Sequence, residues 1–387
     1  MDGDERVDAL QVSARGIDHG APAARGAHPP ARRQRHSRKQ HPRRSSPHAR
    51  ILAAARGARE IPPMLAALAR RAVSGLAVVA GVVTLTFFLL RLAPGDPVEL
   101  LLGPAATPAQ VAAQRHALDL DRPLAVQYVA WLGRFARGEW GTSIATGRPV
   151  RTLLGEAVPA TLELVGLSLV LSYVLGLAVG AVQATARARL DTALSVATVT
   201  LYAVPGYWLG LMLVMVFTYW ARALPAFGRA GFDSEFLSGW AWLADRVRHI
   251  ALPLATLTLI GIGGTARFVR GAMLDVLGQP FVRTAHAKGL SPLAVTRDHV
   301  ARNALVPVVI LLGLSFPALF SGAVFVEFVF VWPGVGRKLV EAVLARDYPV
   351  VMAATAVSAI LVVVGNLLAD ALVGWVDPRT RHSSQEP

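Results

Sequence analysis

Long apolar stretches without a charged side chain recur along this chain, each about as long as a bilayer's hydrocarbon is thick. At 1.5 Å per residue, about 20 such residues cross roughly 30 Å of hydrocarbon. Inside lipid a segment must satisfy its own backbone hydrogen bonds, and a helix does so unaided. Six charge-free runs meet this requirement, 72–90, 164–186, 192–221, 250–266, 304–326 and 348–369, and the spans built on them are placed at about 72–92, 160–186, 192–221, 250–273, 304–331 and 348–375. The expected fold class is therefore an all-α polytopic membrane protein with six transmembrane helices and both termini on one side of the membrane.

Lys and Arg near the spans set the orientation. Arg70, Arg71, Arg187, Arg189, the six Lys/Arg from Arg267 to Arg302, and Arg379 and Arg381 fall on one side. Arg337, Lys338 and Arg346 fall on the other. The balance predicts cytoplasmic N- and C-termini. Half of the formal charge of +14 belongs to residues 1–63, where 13 Lys/Arg face 6 Asp/Glu. This segment has few large apolar residues and reads as a basic disordered extension. It is either an arm for nucleic acid or anionic lipid or untranslated sequence ahead of a start at Met64. The sequence favours the second, so lipid is an expected partner and nucleic acid is not. With no cysteine in 387 residues, neither a disulfide nor a thiolate metal site is available.

Two regions between the spans are too polar or too long to be plain connectors. Residues 94–157 read as an external helical cap, in which Trp131, Leu132 and Phe135 share helical spacing and Tyr128 and Trp131 suit a membrane interface. Residues 274–303 form a polar loop whose turn chemistry describes two short helices meeting at a bend. Pro280 suits a first helical turn, and Gly289 suits the left-handed residue that stops a helix. Ser291 and Pro292 start the next one, which runs through Arg302 into the fifth span. Phe281 and Ala285, four residues apart, lie on one face of the first short helix. Ala285 and Gly289 would admit a partner's backbone, and Arg283 could pair with a carboxylate on it.

Inside the spans, Pro205-Gly206, Pro253, Gly261, Gly263-Gly264, Pro307 and Pro317 interrupt regular helix. They mark either ordinary close packing or a pathway between helices, and Pro205, Gly206, Gly263 and Gly264 are the candidate pathway residues. The carboxylates Glu163, Glu327 and Asp370 stand at span ends. No ionisable group is expected deep in a span, where an ion-driven carrier keeps its coupling residues. The sequence contains no Gly-Lys pair for a phosphate-binding loop, no H-E-x-x-H and no G-x-S-x-G, so neither catalysis nor a metal site is expected.

The run Arg283-Thr284-Ala285, followed after three residues by Gly289, resembles the cytoplasmic "EAA" coupling loop of permease subunits of bacterial binding-protein-dependent ABC importers. The wording RTAHAKGL with RNALVPVV is closest to the dipeptide, oligopeptide and nickel branch. Further similar motifs are RLAPGDPVE at Arg91–Glu99, PATLEL at Pro159–Leu164, VPGYWLGLML at Val204–Leu213 and FVFVWPGVGRKL from Phe328. Together the similar stretches extend over Met64 to Arg381, with 382–387 as a tail. Pro280 and His286 depart from the residues usual in related loops.

The resemblance implies a non-enzymatic permease in the bacterial inner membrane. Its partners would be a second homologous permease, two ATP-binding subunits that hold the ATP and Mg, and an extracytoplasmic solute-binding protein. Phe281, Arg283, Thr284, Ala285, Lys288 and Gly289 would couple it to the ATPases. The solute would be a peptide, with nickel or another small solute as the alternative. A secondary carrier or a membrane scaffold are the readings from other classes.

Overall fold

The computed structural model describes residues 63–92, 98, 102, 103, 105–117 and 120–376. The expected extension before Pro63 and the tail 382–387 lie outside them. Every regular element described is helical: α1 (Pro63–Leu92), α2 (Pro108–Ala117), α3 (Leu124–Ala136), α4 (Val150–Thr185), α5 (Ala188–Ala203), α6 (Gly206–Leu213), α7 (Gly239–Leu277), α8 (Pro280–Ala287), α9 (Arg302–Val329), α10 (Val335–Leu344) and α11 (Tyr348–Val376). Four helices, α1, α4, α7 and α11, are each long and apolar enough to cross a membrane, and two bent pairs raise the number to as many as six.

The first bent pair breaks the span over 192–221 at Pro205-Gly206, where an interruption was expected. α5 ends at Ala203, Val204 and Pro205 are extended, and the following helix departs at 106°. Proline explains the break, since it offers no N–H and disfavours helical geometry in the residue before it. A π-helical stretch, Val214–Trp220, follows α6. The second pair lies within α9, where Pro307–Gly313 and Ser315–Val329 are inclined by 44°.

α4 and α7 form the most extensive helix pair. Glycine makes their approach possible: a Cβ on Gly180 would stand 2.6 Å from the Ala266 carbonyl oxygen and 2.7 Å from Val269 Cβ. The main core joins these two helices to α9 through Leu164, Leu252, Leu257, Phe320 and Phe330.

At one end of the bundle, polar groups are sealed inside protein. Glu327 is fully buried. Its carboxylate accepts hydrogen bonds from Thr161 Oγ1 (2.6 Å) and from the Gly336 (2.7 Å) and Arg337 (3.2 Å) backbone N–H groups at the start of α10. Glu327 stands at the end of its span, two residues before α9 stops, and α10 folds over it. Trp332, also fully buried, donates its indole N–H to the Ala160 carbonyl (2.9 Å). Asp347 accepts from Ser143 Oγ (2.5 Å) and the Ala145 N–H (3.2 Å), tying the segment before α4 to the start of α11.

The aromatic residues of α3 are half-buried and pack on neighbouring helices. Tyr128 Oη lies 2.7 Å from Thr84 Oγ1, and its ring meets Phe87 edge-on at 5.3 Å. Trp131, Phe135 and Trp140 stack in series at 5.2 Å. Tyr128, Trp131 and Phe135 pack against Val83 and Phe87 of α1 and Met352 and Ala356 of α11.

Candidate functional site

The polar loop forms an elbow at the opposite end of the bundle. α8 begins with Gln279 as cap and Pro280 in its first turn. It ends with the Leu290 N–H on the Ala285 carbonyl and the Gly289 N–H on the His286 carbonyl (2.9 Å). This is the six-to-one, five-to-two pattern of a Schellman stop, and it requires a left-handed residue at Gly289, whose φ is +82°. A Cβ there would meet nothing, so backbone geometry, not space, demands glycine. Ser291 Oγ then accepts from the Ala294 N–H (3.3 Å), and Pro292 opens the next helical turn.

The two faces of α8 differ. Val282 and Ala285 are buried, packed with Val269, Met273, Val295 and Val300. Phe281, Arg283, Thr284, His286, Lys288 and Gly289 are exposed, Phe281 by 43%. Ala285 is therefore not the contact point that sequence spacing suggested: it seats the helix on its own chain. The exposed apolar groups of the elbow are Phe281, Leu290 and Leu293. Thr284 Oγ1 returns to the Pro280 carbonyl (3.1 Å) and stabilises the helix locally.

Between the elbow and α9 the chain is π-helical over Val295–Ala301, in place of the regular helix expected to run from Ser291 to Arg302. Arg297 forms a two-pronged ion pair with Asp298 in this stretch (2.7 and 3.0 Å). That contact holds the Asp298 carboxyl below its ordinary range.

Above the elbow a cavity of about 520 Å³ opens among α4, α5, α7 and α9. Its polar lining is Ser172, Tyr173, Tyr202, Thr265, Arg267 and Ser315. The Tyr173 and Ser315 hydroxyls, 2.7 Å apart, bridge α4 and α9. Of the candidate pathway residues, Gly264 lines this space and Gly263 does not. Gly263 faces α5, where a Cβ would lie 2.8 Å from the Thr198 carbonyl oxygen. Pro205 and Gly206 mark the break after α5, with Gly206 close to Ile260, and neither borders the cavity.

In the sequence Arg267 ends the charge-free run of the fourth span and groups with the cytoplasmic Lys/Arg. The helix instead continues to Leu277, placing Arg267 ten residues, roughly 15 Å, inside its end. The signal lay in the helical spacing of Ala266, Val269 and Met273, which prolongs the buried face past the uncharged run.

Residues 172–382 match the family described as binding-protein-dependent transport system inner membrane component, and residues 64–165 match its N-terminal counterpart. The oligopeptide transport system permease protein AppB of Bacillus subtilis is 37% identical over 321 residues, covering 82% of this chain and all of that protein. The di/tripeptide transport system permease protein DppB of Pseudomonas aeruginosa is 39% identical over 334 residues, covering 82% and 99%. The probable D,D-dipeptide transport system permease protein DdpB of Escherichia coli is 38% identical, covering 78% and 93%. Among solved structures, an inward-facing MetNI methionine ABC transporter aligns with a TM-score of 0.49 at 18% identity, over 59% of this chain and 98% of that one.

Proposed function

This chain belongs to the binding-protein-dependent transport system inner membrane components, and from that premise we propose that it is one permease of an ATP-driven importer carrying peptides across the bacterial cytoplasmic membrane. The reading is carried by the exposed elbow: a membrane bundle whose relatives are peptide permeases over nearly their full length presents a capped helix with Phe281 uncovered on it and Leu290 and Leu293 uncovered just beyond it. Phe281, Leu290 and Leu293 offer area for a groove, and Arg283 and Lys288 beside them offer charge for acidic groups on its rim. The occupant is an ATPase subunit, which supplies the ATP and Mg.

The work is divided among chains. A second permease completes the pathway, two ATPase subunits drive it, and an extracytoplasmic binding protein delivers the solute. ATP binding draws the ATPases together, and the elbow moves with them. Because Val282 and Ala285 lock α8 onto Met273 of α7 and Val300 before α9, displacement of the elbow reaches the helices that border the cavity. The elbow and both termini face the cytoplasm.

Co-expression of the chain with its cognate ATPases and purification from membranes tests this. The ATPases are expected to co-purify, to be lost with Phe281→Asp, and to be retained with Thr185→Ala on an exposed helix end. Failure of any ATPase to associate with the unaltered chain, or its retention with Phe281→Asp, would count against the reading.

A further inference from the structure

α7 carries two arginines one turn apart, and their surroundings differ. Arg270 is matched: its guanidinium makes two parallel hydrogen bonds to Asp191 of α5 (2.7 and 2.6 Å). Arg267, one turn nearer the middle of the bundle, borders the cavity and has no acidic partner among the described residues. Its guanidinium carbon lies 5.2 Å from the centroid of the Tyr202 ring. A cation over an aromatic face is oriented by it but keeps its N–H donors available. No other charged residue lines the cavity.

The rest of the lining is what an extended solute with a polar end requires. Ser172, Tyr173 and Ser315 supply hydroxyls, while Ile260, Phe268 and Leu319 supply apolar wall. Arginine's planar fork matches a carboxylate with two parallel hydrogen bonds. The Arg267 side chain is exposed where it borders the cavity, so its fork is open to an anionic ligand.

We propose that Arg267, posed on Tyr202, is a carboxylate-reading residue of the transport pathway, holding the free C-terminal carboxylate of the peptide as it passes through the cavity. This rests on the peptide-importer reading given above. The site lies within the membrane chain, so it selects after the binding protein has released its cargo.

The test uses the whole complex, this chain with its partner permease, ATPases and binding protein, reconstituted in proteoliposomes. A library of short peptides is supplied, half as free acids and half as C-terminal amides. The acid-to-amide ratio in the lumen, read by mass spectrometry, is divided by the ratio held on the binding protein alone. With the unaltered chain this quotient is expected to be about tenfold or more in favour of acids, the size of one charge-assisted hydrogen-bond pair. Arg267→Gln is expected to bring it close to one by lowering acid uptake, with the ATPases still bound. Arg267→Lys keeps the charge and is expected to retain part of the preference. Tyr202→Leu, which removes the supporting ring, is expected to reduce it. An unchanged quotient with Arg267→Gln, or equal loss of acids and amides, would overturn the proposal and leave Arg267 a packing residue or the partner of an acidic group on the second permease. Absence of ATP-dependent uptake of any peptide by the unaltered complex would instead overturn the peptide reading itself.

Discussion

The two ends of the bundle treat charge in opposite ways. At the α10 end, Glu327 is enclosed by protein and has three donors, and Asp347 is held almost as deeply. At the elbow end, Arg297 and Asp298 pair in solvent, with side chains 75% and 49% exposed, and Phe281 stands uncovered. The first arrangement is complete within one chain. The second has bonds that fix its own shape but a surface that nothing among the described residues covers. In the importer proposed above, the first end keeps the helices in register and the second is the one an ATPase grips.

Substitutions should break this contrast unequally. The largest effect is expected at Glu327. Glu327→Ala removes the acceptor for Thr161 and for the Gly336 and Arg337 N–H groups, leaving buried donors unmatched at a cost of about 3 kcal/mol or more. Thermal unfolding of the purified chain, followed by size-exclusion fluorescence, should show the largest loss of any variant described here. An unchanged profile would mean that water replaces the carboxylate.

Next in size is Gly289→Val. A β-branched residue forced to φ +82° should cost about 1–2 kcal/mol, confined to the elbow. ATPase retention should fall while the melting of the bundle moves little.

A smaller effect is expected at α10. Partial burial pulls the Glu341 carboxyl upward, yet Lys338 and Arg337 together hold it below the ordinary glutamate range. A carboxyl depressed in the folded state adds stability at neutral pH and loses it as the pH falls through the depressed value. The group is over a third exposed, so the gain is under about 1 kcal/mol. Glu341→Gln should therefore be slightly less stable than the unaltered chain at neutral pH, and the two should converge in acid. Smallest of all, Phe281→Ala should change stability by less than about 0.5 kcal/mol, because its side chain is uncovered in the single chain.

Much of the fold was legible because the membrane imposes long apolar runs, and the elbow was legible because Pro280, Gly289, Ser291 and Pro292 each act within four residues of themselves. What the sequence hid depends on distant partners. Helical spacing put Phe281 and Ala285 on one side of α8, but only the packing of Met273 and Val300 decides that Ala285 points inward. The node at Glu327 joins residues 166 positions apart, a pairing that no local pattern encodes. Arg267 was misplaced because an uncharged run ends where charge begins, whereas a helix ends where its hydrogen bonding stops, here at Leu277.

The absence of cysteine makes one measurement direct, since a single introduced thiol is unique in this chain. Phe281→Cys and Ala285→Cys, placed in the assembled complex, are each treated with a short thiol-to-amine cross-linker. Phe281→Cys is expected to join this chain to an ATPase subunit and Ala285→Cys to remain unreacted. Cross-linking through Ala285→Cys with none through Phe281→Cys would contradict the assignment of the exposed face of α8 as the surface through which ATP-driven motion enters the membrane.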